Sequence, residues 1–118
     1  MSDTSSSGLS GPASRMRVFI GERDSIEGKP VFEWIVLQAR DHGIAGATVL
    51  RSPMGYGHSS HVHNATILRL STDLPMVVEL IDVEDRILAF AEVLKSTLKS
   101  GLITLESITV IPLGHTGT

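Results

Sequence analysis

The sequence predicts an α+β domain of the ferredoxin-like class, a βαββαβ chain whose two helices cover one face of a single sheet. Three observations predict it. Extended and helical patterns succeed one another as strand, helix, strand, strand, helix, strand. Each helical segment sits between strands, and right-handed crossovers send both helices to the same side. The third is size, since 118 residues, 42% hydrophobic and 19% charged, supply one core and not two.

Residues 1–15 hold six serines, two glycines and one proline with almost nothing apolar, and read as a flexible tail ahead of a domain spanning 16–113. Residues 114–118 read as a second short tail. Met16 to Ile20 is β-branched and aromatic and stops at Gly21, giving the first strand. Pro30 opens a helix to His42, with Phe32, Ile35, Val36 and Ala39 on its buried face, Trp34 at the edge of that face and Gly43 as terminator. Ala47 to Ser52 is extended again. Residues 53–64 have no regular period and read as a loop, Ala65 to Leu70 as a strand, and Pro75 to Ile81 as a central strand apolar on both sides. Asp82 is placed to cap a second helix with Val83, Ile87, Phe90, Ala91, Leu94 and Leu98 in its stripe, and Gly101 to end it. Leu102 to Leu105 and Ile108 to Ile111 supply the last extended segments, split by Glu106 and Ser107. A sheet with helices on one side only leaves its other face to be covered by self-association.

Composition narrows the function. A net charge of −3 argues against a general phosphate-backbone binder, so no nucleic-acid partner is expected. With no cysteine there is no disulfide, thiolate metal site or cysteine nucleophile. No apolar run reaches the roughly 18 residues of a membrane span and no signal peptide opens the chain, so a cytoplasmic protein is expected. No G-x-S-x-G, H-E-x-x-H or Walker pattern occurs, and no enzyme activity is expected.

Several residues carry candidate chemistry. Gly55-Tyr56-Gly57 can bring backbone amides close to a phosphate or purine, or can be a plain turn. Thr48 and Arg51, on the strand feeding that loop, offer a hydroxyl and a guanidinium to a ribose or phosphate, Arg51 being equally suited to an ion pair between subunits. Lys29 precedes the first helix, where it can join the free N–H groups in holding an anion or can simply be solvated. His58, His61 and His63 fall within six residues, a spacing that permits zinc or copper, although a solvated loop rich in histidine has the same look. His42 suits the negative end of its helix, and His115 falls in the tail. Glu79, alone in an apolar strand, is either a functional carboxylate or one end of an edge or cross-subunit salt bridge.

Taken in order, Ile20-Gly21-Glu22, Glu27-Gly28-Lys29-Pro30, Gly43 to Arg51, Gly55-Tyr56-Gly57 and Gly101-Leu102-Ile103-Thr104-Leu105 give the chain a family look. From Met16 to Ile111 it resembles the PII-like superfamily, and most closely that superfamily's uncharacterised branch. The resemblance implies a homotrimer of ferredoxin-like subunits that binds a small effector between subunits and signals to a protein partner through the mobile loop 53–64. It also implies Gly101, in the loop after the second helix, as a ligand residue beside Thr48, Arg51, Gly55, Tyr56, Gly57 and Lys29. PII signalling proteins follow that glycine with lysine and carry arginines after the last strand. Here Leu102 follows Gly101 and residues 113–118 hold no arginine, which shifts the expected ligand from a triphosphate to AMP or ADP.

Overall fold

The spine of the fold is a long first strand, β1 (Gly11–Gly21), paired on both of its edges. The structure is a computed structural model that describes residues 8–52 and 75–114. A two-residue hairpin follows, β2 (Ser25–Ile26) and β3 (Lys29–Pro30), then α1 (Val31–Asp41), β4 (Gly46–Arg51), β5 (Pro75–Asp82), α2 (Glu84–Thr97) and β6 (Leu102–Val110). The main sheet has the order β4-β5-β1-β6, every neighbouring pair antiparallel. This is the ferredoxin-like order. β1 and β4 run parallel on either side of β5, and β5 and β6 run parallel on either side of β1, so each helix is the crossover of one parallel pair.

Alternation along the strands builds the core. Met16, Val18 and Ile20 of β1 and Met76, Val78 and Leu80 of β5 point to one face, where Ile35 and Ala39 of α1 and Ile87, Phe90 and Leu94 of α2 bury their side chains on them. Burying that much hydrocarbon is the main stabilising term, about 25 cal/mol per Å² of apolar surface removed from water. α1 has no side-chain cap: Pro30 stands at its N-cap and the Val31 N–H donates instead to the Asp24 carbonyl (2.9 Å); Glu33 in the first turn and Arg40 in the last complement the dipole. Gly43, left-handed at φ 74°, terminates it as expected.

Five details differ from the sequence expectation. Residues 11–15 are strand and not tail, since all five pair with β6, from Gly11 opposite Val110 onward, and Ser14 and Arg15 pair with β5 as well, so the backbone is held whatever the side chains. β5 is central but alternates strictly, one face buried and the other half-buried within the chain. In α1 the buried set is Val31, Trp34, Ile35 and Ala39, the stripe being turned so that the largest side chain, Trp34, sits inside; Phe32 and Val36 are partly buried beside it. β6 is unbroken through Glu106 and Ser107, because Glu106 pairs with Arg15 across the strand boundary.

The fifth concerns Asp82, which is the last residue of β5 and caps nothing. Val83 is the N-cap of α2 and makes no side-chain cap bond. Asp82, 2% exposed, accepts instead from the Ala45 N–H (2.9 Å), the Val83 N–H (2.7 Å) and Arg86 Nε (3.0 Å). Arg86 Nη2 then donates to the carbonyls of Gly43 (2.6 Å) and His42 (3.1 Å), so one carboxylate and one guanidinium tie the exit of α1 to the entry of α2. His42 adds an edge-on contact with Phe90 at 5.4 Å, and its Nδ1 lies 2.8 Å from the Gln38 carbonyl.

Candidate functional site

The register fixes which residues share one end of the sheet. Arg51 is opposite Met76, Met76 opposite Ile20, Gly21 opposite Pro75, and Phe19 opposite Leu102. The C-terminal ends of β1 and β4 and the N-terminal ends of β5 and β6 therefore lie together, with the start of α1 and the end of α2 above them. Asp82 and Arg86 are at the far end.

Three of the sequence-predicted ligand residues gather at this near end. Lys29 is in β3, immediately before α1, and makes no ion pair among the described residues. It lines a shallow depression of about 490 Å³ with Glu22, Asp24 and Gly28. Arg51, on the core-facing side of β4 at its exposed end, is ion-paired with Glu22 of the same chain, so the partner weighed in a second subunit lies within the subunit. Gly101 takes φ 106°, and a Cβ built there would stand 2.7 Å from the Phe19 carbonyl oxygen; glycine is required at this point by the approach of β1's backbone. It does not end α2. That helix stops at Thr97, and Leu98 is already extended.

Thr48 is not brought to this group. It is opposite Glu79 and so projects from the face without helices. Gly55, Tyr56 and Gly57, the histidines 58, 61 and 63, the expected loop 53–64, the strand 65–70 and His115 lie outside the described residues. Among the described residues, no three His, Asp or Glu side chains stand close enough to hold a metal ion.

Two further depressions continue from the first. Asp24 and Ser25 are shared with one of about 340 Å³ that reaches Lys99 and Ser100; these in turn line a cleft of about 510 Å³ between α2 and β6, with Leu88, Leu94, Ile103 and Leu105 as apolar walls and exposed Lys95 beside Lys99. An arc of concave surface thus runs from Lys29 across the near end and on along the α2–β6 side to Leu105. Glu22 and Lys99 are not among the sequence-predicted site residues. Glu22 stands in the motif Ile20-Gly21-Glu22, but its partner is 29 positions away and no local pattern links the two.

The face without helices is ordered in rows. Leu50, Val77, Phe19 and Leu102 stand side by side across all four strands, an apolar row next to the arc, with Leu50 48% and Leu102 45% exposed at the two edges. The next row is Thr48, Glu79, Arg17 and Thr104, and the one after it Gly46, Ile81, Arg15 and Glu106. Glu79 is neither at an edge nor between subunits: Arg17 Nε donates to it at 2.8 Å across the two central strands. Arg15 Nη2 meets Glu106 at 2.8 Å and Arg17 Nη1 approaches it at 3.6 Å. The hydrogen bond from Arg15, with smaller coulombic help from Arg15 and Arg17, holds the Glu106 carboxyl below the usual carboxylate range.

Comparison with known proteins places this geometry. The DUF190 family, described as Uncharacterized ACR, matches residues 13–110. A UPF0166 protein of Aquifex aeolicus is 41% identical over 98 residues, covering 83% of this chain and 92% of that protein. A UPF0166 protein of Methanocaldococcus jannaschii is 33% identical over 91 residues, covering 76% of this chain and 83% of the relative. Among solved structures, CPII from Thiomonas intermedia K12 bound to ADP, AMP and acetate superposes with a TM-score of 0.61 at 15% identity, covering 88% of this chain and 93% of CPII. The apo form of CPII, described as a nitrogen regulatory PII-like protein, gives 0.57 at 13% identity, with 84% and 91% covered. At these identities the likeness to CPII is one of fold.

Proposed function

We propose, since the chain belongs to the DUF190 family and has a PII-like fold, that it is a regulatory protein that binds an adenine nucleotide, AMP or ADP, between subunits of a homotrimer. The observation that carries this reading is the spread of Arg51 and Gly101 across the near end of the sheet. Arg51 is on β4 and Gly101 precedes β6, about 14 Å apart at the usual strand spacing, which suits a ligand held where the β4 edge of one subunit meets the β6 edge of the next; Thr48, on the open face, is not part of this set. Trimer formation with the open faces inward would bury the apolar row from Leu50 to Leu102. That CPII, with the same fold, is described as bound to ADP and AMP supports the choice of ligand.

In this reading Arg51 and Lys29 meet phosphate, backbone amides of Gly55 and Gly57 approach phosphate or purine, and the backbone at Gly101 borders the ligand beside the α2–β6 turn. Residues 53–64 then present the bound state to a protein partner. The reading assigns the protein no reaction. No helix among the described residues is long and apolar enough to cross a membrane.

Calorimetry with AMP, ADP, ATP and zinc, alongside light scattering, tests the reading. A trimer that takes AMP or ADP, binds ATP no more tightly, and loses affinity on Gly57→Val without unfolding is the expected result. A stable monomer at micromolar concentration removes the site between subunits. Stoichiometric zinc retained through dialysis would instead favour metal binding by His58, His61 and His63.

A further inference from the structure

Glu22 neighbours two cations at the near end of the sheet. Its carboxylate accepts from Arg51 Nη2, and it lines the same depression as Lys29. The other charged groups facing that depression are Arg23 and Asp24, and Asp24 is already committed, its carboxylate accepting from the Gly21 N–H at 3.0 Å to close the turn after β1. Among the described residues Glu22 makes no such structural bond; its side chain is engaged by Arg51, whose own side chain is 60% exposed at the end of β4. With Arg51 this open and Glu22 24% exposed, the pair lies at the surface, where an ion pair contributes modestly to folding. Its chemical effect is to fill, with a carboxylate, the position a phosphate oxygen would take on the guanidinium.

We infer that Glu22 is a carboxylate latch on an anion site formed by Arg51 and Lys29, and that a phosphate-bearing ligand enters by displacing Glu22 from Arg51. The exchange is one acceptor for another: guanidinium N–H groups that donate to the carboxylate donate to the phosphate instead, and Glu22 turns to water. No proton or covalent bond changes hands. The identity of the ligand rests on the nucleotide reading; the latch itself requires only an anion. Since the carboxylate both occupies the guanidinium and repels the incoming charge, affinity at this site is set below what Arg51 and Lys29 alone would give, and rises in any state that draws Glu22 away.

Calorimetry on the wild type, Glu22→Gln and Arg51→Gln, each titrated with AMP and with inorganic phosphate at low salt, tests the latch. Glu22→Gln keeps the shape and removes the charge, and is expected to tighten binding about two- to five-fold, the range of an exposed ion pair. Arg51→Gln should weaken binding, and the gain from Glu22→Gln should shrink at high salt as the charges are screened. Should phosphate bind, and tighten with Glu22→Gln, while AMP binds neither protein, the latch stands and the nucleotide reading falls. Equal or weaker affinity in Glu22→Gln overturns the latch, and AMP binding to the wild type then leaves the nucleotide reading intact. Absence of binding by either probe to either protein overturns both.

Discussion

Replacing Gly101 by alanine separates what the fold demands at this position from what a ligand would. The backbone there has φ 106°, a region L-residues occupy at a cost of about 1–3 kcal/mol. A second penalty comes from contact. The new Cβ would stand 2.7 Å from the Phe19 carbonyl oxygen and 3.0 Å from the Ile20 Cγ2, against 3.4–4 Å for ordinary packing, and the first of these atoms is backbone of the central strand β1 and cannot swing aside. Relieving such overlap costs about 1–3 kcal/mol more, and the sum is about 2–6 kcal/mol. Gly28 is the matched control, with φ 80° and nothing within 4 Å of a Cβ, so Gly28→Ala carries the conformational cost alone. Urea unfolding followed by circular dichroism, with no nucleotide present, should show Gly101→Ala losing at least 1 kcal/mol more than Gly28→Ala, a difference of the size an overpacked contact produces. Equal losses in the two variants would refute the close-approach account and return Gly101 to an ordinary turn.

The hairpin between β2 and β3 turns on Glu27 and Gly28, φ 52° and 80°, the signature of a type I′ turn, and Glu27→Asn should stabilise the domain by about 0.5–1 kcal/mol because asparagine tolerates that conformation better. An unchanged urea midpoint would argue against it. Asp82→Ala strips acceptors from the Ala45 and Val83 N–H groups and from Arg86, and should cost about 2–4 kcal/mol; chemical denaturation showing a loss below 1 kcal/mol would mean that the tie between helices is idle. Glu106, whose carboxyl is held below its ordinary range by Arg15, contributes stability at pH values above its unfolded value of about 4.3 and loses that contribution as pH falls through its lower folded value. Glu106→Gln should therefore flatten the acid side of the stability profile, and coincident slopes for variant and wild type between pH 5 and pH 3 would count against the assignment.

Periodicity carried the elements and the helix-facing core. Val18, Val78, Ile87 and Leu94 recur at the spacings that bury them, and Pro30 and Gly43 mark the ends of α1 with their own backbone chemistry. What it missed was decided by partners far along the chain. Residues 11–15 look like tail because they are poor in apolar groups, yet pairing with β6, and from Ser14 with β5 too, makes them strand; Glu106 looks like a break because its partner, Arg15, is 91 positions away. The same holds for the site. Lys29, Arg51 and Gly101 were legible as residue types suited to anions and close approach, but nothing local shows that Arg51 is engaged by Glu22, or that Thr48 and Arg51, three apart on one strand, leave it on opposite faces.

Placing the first strand of the chain at the centre of the sheet, beside the last, sets the order in which the protein can be made. β1 emerges earliest from the ribosome, but its neighbour β6 is synthesised some 90 residues later, as the separation of Arg15 and Glu106 shows. Until β6 arrives, one edge of β1 has no partner in the main sheet, and the row Met16, Val18, Ile20 lacks the cover of Ile103 and of a fully docked α2. Vectorial folding from the N-terminus therefore cannot finish early. The sheet closes in a single late step with a large loop-closure cost, which predicts slow folding for a chain of this length and leaves nascent β1 dependent on protection from stray strand pairing while translation continues.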